Sequence, residues 1–183
     1  MKTIKAIEKR RSIRKYKDKT VKKEKVEDIL NAGRLAPSAK NRQPWYFVVV
    51  DKETKNKIGN IMTDLKMKEK EEGDYTYSSS VGFTGEIIKK ADVMILVYTK
   101  EDEHYLISDT LSLGAAIENM LLRATELSLG SLWVRDTTHA EKEINKLLNI
   151  KDKKLSSAVL LGYKDQNPNP RPRKDLKEIV SWL

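Results

Sequence analysis

Apolar positions recur along this chain with two different periods. Ile4 and Ile7, three apart, predict a short first helix ending near Arg10. Val26, Ile29, Leu30 and Gly33 keep helical spacing, and that second helix must stop before Pro37, since a proline pushes the residue before it out of the helical region. Trp45 to Val50 is an unbroken aromatic and β-branched run, which predicts a strand. Ile58, Ile61, Met62 and Leu65 return to helical spacing within residues 52–70. Residues 71–85 contain Gly73, Gly82, Gly85 and three serines, a composition that reads as a mobile polar loop. Val93 to Tyr98 predicts a second strand, followed by a long helix over about 105–128 closed by Gly130. Leu132 to Val134 is a short strand, Ala140 to Leu148 a helix with Ile144, Leu147 and Leu148 facing inward, and Ser157 to Gly162 the last clear strand. Asn167-Pro168-Asn169-Pro170-Arg171-Pro172 cannot be helical and cannot pair fully in a sheet; a short helix over Asp175 to Trp182 follows it.

Strands alternating with helices predict an α/β or α+β domain. No repeat and no long linker divides the chain, so residues 1–183 are expected to form a single domain. The long helix carries Ile107, Leu111, Leu113, Ala115, Ala116, Ile117, Met120, Leu121, Leu122, Ala124 and Leu127, which cover nearly its whole circumference. A helix apolar all round is buried on all sides. In a chain of 183 residues this is achieved most simply if one face meets the sheet and another meets a second subunit, which predicts a homodimer.

Composition narrows the chemistry. The chain has no cysteine, which excludes disulfides, thiolate catalysis and cysteine-ligated metal centres. Two isolated histidines, His104 and His139, do not make a histidine metal site or a serine–histidine triad, so no metal site is expected. No window approaches the roughly 18 apolar residues of a membrane span, and the basic N-terminus lacks the apolar stretch of a signal peptide. The expected location is therefore cytoplasmic, without a membrane partner. An enzyme with these absences takes its reactive atoms from a cofactor. There is no GxGxxG and no GxxxxGK[ST], so neither a dinucleotide-binding turn nor a P-loop is indicated.

The net charge is +9 and unevenly placed. Residues 1–30 carry twelve basic and five acidic side chains, whereas residues 86–135 carry five basic and eight acidic ones. Most of the lysines read as solvated surface. Of only nine arginines, however, Arg10, Arg11 and Arg14 stand together near the start and Arg171 and Arg173 near the end. Guanidinium is a planar fork of donors suited to phosphate and carboxylate, and rare arginines gathered at both ends predict one anion site built from both.

Three segments thus carry chemistry. Arg10-Arg11-Ser12-Ile13-Arg14 follows a short helix. Ala36-Pro37-Ser38-Ala39-Lys40-Asn41-Arg42-Gln43-Pro44-Trp45 is a stiff loop presenting amide donors and acceptors suited to the edge of a flat heterocycle. Pro170-Arg171-Pro172-Arg173-Lys174 is an extended basic clip. In this order, and with Gly114-Ala115-Ala116-Ile117-Glu118-Asn119-Met120-Leu121-Leu122 and Leu129-Gly130-Ser131-Leu132-Trp133-Val134 between them, they resemble the FMN-dependent nitroreductase family over almost the whole chain.

The resemblance implies an α+β, three-layer fold with a central, mainly antiparallel sheet flanked by helices. It also implies a homodimer in which residues 167–183 form an arm that reaches the partner subunit and extends its sheet. It implies FMN as cofactor, in clefts at the dimer interface, and NADH or NADPH as co-substrate. By position, Arg10, Arg11, Ser12 and Arg14 would bind the ribityl phosphate and the pyrimidine edge. Pro37, Ser38, Ala39, Asn41 and Gln43 would line the flavin, partly from the other subunit. Leu132, Trp133, Val134 and Arg135 would pass near flavin N5 with backbone donors. Arg171 and Arg173 would close on the phosphate. Many relatives have Cys-Trp-Ile-Gly where this chain has Leu132-Trp133-Val134-Arg135, so only a backbone role carries over there. No side chain is expected to be catalytic, because flavin N5 carries the chemistry.

The function implied is an oxidoreductase passing hydride from NAD(P)H through flavin to a small-molecule electron acceptor, such as a nitroaromatic, quinone or enone, by a ping-pong mechanism. Tyr75 and Tyr77, in a loop read as a lid, are candidate acceptor contacts. Two alternatives differ in class: a flavin-storing or sensory protein with little turnover, and a basic nucleic-acid-binding module. Against the latter, aromatic residues do not interleave with the basic runs as a stacking platform requires, so no nucleic-acid partner is expected.

Overall fold

A computed structural model describes residues 2–72 and 78–183. Its centre is a sheet of four strands, β1 (Tyr46–Val50), β2 (Val93–Thr99), β3 (Gly130–Val134) and β4 (Lys154–Gly162), in the order β1-β2-β4-β3. All three ladders are antiparallel, with Met94 opposite Leu160 and Trp133 opposite Val159. Side chains alternate between the two faces of a strand, and here both faces are covered. Met94, Leu96, Tyr98, Ala158 and Leu160 join one buried cluster; Ile95, Val97, Val159 and Leu161 join the other. Continuous apolar runs in β2 and β4 are the sequence signature of that double burial.

Helices α2 (Lys23–Arg34) and α5 (Leu106–Glu126) cover one face, through Val26 and Ile29 and through Leu113, Ile117, Met120 and Leu121. Helices α3 (Lys52–Glu72), α4 (Ser78–Lys90) and α6 (Glu141–Leu148) cover the other, through Ile58, Met62, Val81, Ile88 and Ile144. With α1 (Thr3–Lys9) and α7 (Leu176–Ile179) at the ends, the result is the three-layer α+β architecture expected from the resemblance.

Three local expectations need correction. Residues 78–85 are not loop but the first half of α4. A Cβ on Gly85 would lie 2.6 Å from the Gly59 carbonyl oxygen, so Gly85 and Gly59 serve backbone-to-backbone packing of α3 against α4 rather than a turn. Lys55, only 1 % exposed, fastens the same pair of helices by donating to the terminal carbonyls of Ile88, Lys89 and Ala91. Second, Gly130 does not close α5. Ser128 takes the left-handed conformation (φ 61°) while the Leu129 amide returns to the Ala124 carbonyl, and Gly130 begins β3. Third, the helix expected at 175–182 is shorter, because Val180 is already extended (φ −129°, ψ 131°); Asp175 and Glu178 form a capping box at its start. In a single chain α5 packs on the sheet with one face and leaves another uncovered. Leu106, Ile107 and Leu111 are exposed, the last two by 77 % and 70 %. Tyr75 and Tyr77 lie outside the described residues.

Candidate functional site

The first arginine run is placed by the backbone that carries it. After α1 the chain runs extended along the free edge of β3. The Ile13 amide donates to the Ser131 carbonyl (2.9 Å), Ser12 bridges Ser131, and Tyr16 bridges Lys164. Ile13 is buried, so its neighbours Ser12 and Arg14 face outward. Two glycines make room for this approach. A Cβ on Gly130 would lie 2.8 Å from a methyl carbon of Ile13, and one on Gly162 would lie 2.7 Å from the Tyr16 ring. The Tyr16 hydroxyl, its pKa raised by burial, donates to the Ile13 carbonyl (2.7 Å) and completes the turn.

The second arginine run meets the first. After β4 the Asp165 amide donates to the Lys15 carbonyl (2.9 Å), which starts the proline-rich tail beside the N-terminal segment. Arg10, Arg11, Ser12 and Arg14 together with Arg171 and Arg173 line one cavity of about 530 Å³, completed by Glu8, Glu118 and residues of the 166–170 stretch. The two ends of the chain thus line one cavity. Arg10 lies 3.4 Å from Glu118 of α5. Arg11 donates to the carbonyls of Glu8 (2.6 Å) and Arg10 (2.8 Å), and Arg173 to those of Arg171 and Pro172. Among the described residues, Arg11, Arg14, Arg171 and Arg173 pair with no carboxylate. Guanidiniums gathered without counterions repel one another and attract a doubly charged anion.

The loop after α2 is strained and stiff. Lys40, Asn41 and Gln43 have φ of 50°, 54° and 48°, a left-handed conformation that side chains other than glycine adopt at a cost. The Gln43 amide donates to Ser38 Oγ (3.0 Å). Arg42, between the strained residues, reaches α5: Nε and Nη2 grip both oxygens of the buried Asp109 (3.1 and 3.0 Å), Nη2 also meets Asp102 (2.8 Å), and the guanidinium lies 3.7 Å from the centre of the Tyr105 ring. Hydrogen bonding to Asp109 holds its charge more firmly than usual. Pro37, Asn41 and Gln43 are exposed, and Ser38 and Ala39 half-buried.

In β3, Leu132 and Val134 point into the core, so these two offer a ligand only their backbone. Trp133 is 43 % exposed and donates through Nε1 to Ser157 Oγ (2.9 Å); Arg135 is exposed. Neither residues 37–43 nor residues 132–135 line the arginine cavity. Arg42 and Glu118 were missed as individual residues by the sequence argument, although both lie within motifs it quotes.

A family model described as "Nitroreductase family" matches residues 7–163. The chain belongs to the nitroreductase family. An Archaeoglobus fulgidus protein provisionally named NADH dehydrogenase/NAD(P)H nitroreductase is 33 % identical, over 96 % of this chain and 89 % of its own. Among solved structures, a provisionally named nitroreductase from Desulfovibrio desulfuricans in complex with FMN is 28 % identical, with a TM-score of 0.80 over 100 % of this chain and 97 % of that one. A BluB-like flavoprotein from Clostridium difficile is 27 % identical, with a TM-score of 0.84 over 100 % and 99 %. The family match spans the Arg10–Arg14 run and the loop at 37–43; the clip at 171–173 lies beyond it.

Proposed function

We propose that this nitroreductase-family chain is an FMN-dependent oxidoreductase that uses NADH or NADPH. The observation that carries this reading is the cavity in which Arg10, Arg11, Arg14, Arg171 and Arg173 converge with the Ser12 hydroxyl. The donor set fits FMN: its phosphate is close to doubly charged, and guanidinium forks bind phosphate with charge-assisted bonds roughly twice as strong as neutral ones. Bound FMN would supply the redox chemistry, accepting hydride from NAD(P)H and passing reducing equivalents to a nitroaromatic, quinone or enone in a ping-pong sequence.

The chain's own residues would bind and orient. Arg10, Arg14, Arg171 and Arg173 would hold the phosphate, Ser12 the adjoining ribityl oxygens, and backbone groups of 132–135 the ring. Pro37, Ser38, Ala39, Asn41 and Gln43 would face the ring from a second copy, consistent with their absence from the arginine cavity of a single chain. The exposed Ile107 and Leu111 of α5 and the exposed Leu176, Ile179 and Trp182 of the arm supply apolar surface for that copy. Residues 1–183 would then act as one FMN-binding domain whose 167–183 arm crosses to the partner. Tyr75 and Tyr77 would contact the acceptor. Titrating flavin-free protein with FMN, then assaying NADH and NADPH oxidation with and without a nitroaromatic, tests the proposal. Tight FMN uptake with acceptor-dependent oxidation is expected; protein that takes up no FMN refutes it.

A further inference from the structure

We infer that Arg42 is a positioning residue: gripped by Asp109 and Asp102, it holds Lys40, Asn41 and Gln43 in their left-handed conformation before any ligand arrives and so sets Asn41 and Gln43 for the flavin ring. The inference rests on the FMN reading above and adds a role that the phosphate site does not explain.

Arg42 is unlike the arginines of the cavity. Its Nε–H and both Nη2–H groups are committed, to the two oxygens of Asp109 and to Asp102, and its face lies against Tyr105. Two carboxylates outweigh its single positive charge, so it has none to offer a phosphate. Asp109 is 3 % exposed, and a carboxylate buried that deeply is costly to leave unpaired. The grip is therefore a fixed joint between the loop and α5 rather than a solvated ion pair.

The loop needs such a joint. Its internal hydrogen bonds, from the Asn41 amide to the Ser38 carbonyl, the Arg42 amide to the Ala39 carbonyl and the Gln43 amide to Ser38 Oγ, all close within residues 38–43. Among the described residues, the side-chain hydrogen bonds that leave this stretch come from Arg42 and from Lys40, which reaches the Tyr105 hydroxyl at 3.4 Å. Asn41 and Gln43 flank Arg42 and are both left-handed, so the backbone on each side of the grip is held in a conformation it would leave if released. Both side chains are exposed, with Gln43 Nε2 3.4 Å from the Asn41 carbonyl oxygen, and the cost of ordering the backbone that carries them is met on folding rather than on binding.

The test compares FMN with riboflavin, which lacks the phosphate. Flavin-free wild type, Arg42→Ala, Arg42→Lys, Asp109→Asn and the phosphate-site control Arg14→Ala are titrated with each flavin. Loss of the grip in the Arg42 and Asp109 variants should weaken FMN and riboflavin by the same factor, roughly tenfold or more. Arg14→Ala should weaken FMN alone. Hydrogen exchange on the flavin-free proteins gives a second readout: the amides of Asn41, Arg42 and Gln43 should exchange at least about tenfold faster in the Arg42 and Asp109 variants, with β2 and β4 unchanged. Loss confined to FMN would make Arg42 a phosphate ligand and overturn the inference. Unchanged loop exchange, or equal acceleration throughout the sheet, would also overturn it. Wild type that binds neither flavin would refute the FMN reading itself, whereas wild type that binds both while the variants bind equally well would refute only the positioning role.

Discussion

Replacing Gly130 by alanine should disturb the site without touching any residue proposed to bind there. The new Cβ would lie 2.8, 3.0 and 3.1 Å from Cγ2, Cβ and Cγ1 of Ile13, closer than carbon atoms tolerate. Ile13 cannot step aside freely, because it is 3 % exposed and its amide is bonded to the Ser131 carbonyl. Gly130 is not in the left-handed region, so the penalty comes from crowding alone. Overpacking of this kind costs about 1–3 kcal/mol, which for a chain of this size lowers Tm by roughly 2–12 °C. The strain falls on the segment that carries Ser12 and Arg14, so FMN affinity should drop as well. Thermal denaturation and FMN titration of Gly130→Ala, Ile13→Ala and the double variant form the assay. Ile13→Ala alone leaves a cavity and destabilises; in the double variant the cavity admits the new methyl, so the two losses should sum to more than the loss measured together. Strict additivity, or a Gly130→Ala protein as stable as wild type, would refute the account of how the Arg10–Arg14 segment is seated.

Arg14→Ala and Arg173→Ala should each lower FMN affinity by about one to two orders of magnitude, from charge-assisted bonds worth ~1.5–3 kcal/mol, as read by flavin fluorescence; unchanged affinity in both would remove the phosphate assignment. Deletion from Asn167 onward should weaken both dimerisation and flavin retention in sedimentation and absorbance, and a truncated protein that stays dimeric and loaded would refute the role of the arm. Lys55→Met should destabilise by about 1–3 kcal/mol at neutral pH, because carbonyls at the end of α4 lose their donor, as measured by urea denaturation. Burial pushes the Lys55 pKa below its ordinary value, with Asp92 opposing. Between the lowered and the ordinary pKa the unfolded state therefore binds more protons, and wild type should gain stability relative to Lys55→Met as pH rises through that window; a gap between the two that stays constant with pH would refute the burial.

The parts of the fold legible in the sequence are those where one period dominates. The apolar runs Val93 to Tyr98 and Ser157 to Gly162 became β2 and β4, each extended by a residue or more at an end. Gly82 and Gly85 misled because glycine marks both turns and close helix contacts, and only the facing residues of α3, Lys66 for Gly82 and Gly59 for Gly85, decide between them. Gly130 misled in the same way, since its partner Ile13 is remote in sequence. The pairing of the two chain ends was legible because rare arginines stand at both, and the structure joins them around one cavity. Arg42 was not, because its partners lie 60 and 67 residues further on, and nothing local separates a gripping arginine from a ligand-binding one.

Anaerobic addition of NADH or NADPH to the FMN-loaded protein, followed through the visible absorbance of the flavin, tests the central claim most directly. The account predicts about one FMN per chain, bleached by at least one of the two nicotinamides and restored by a nitroaromatic or quinone. Protein that holds no FMN, or holds it without bleaching under either nicotinamide, would contradict it.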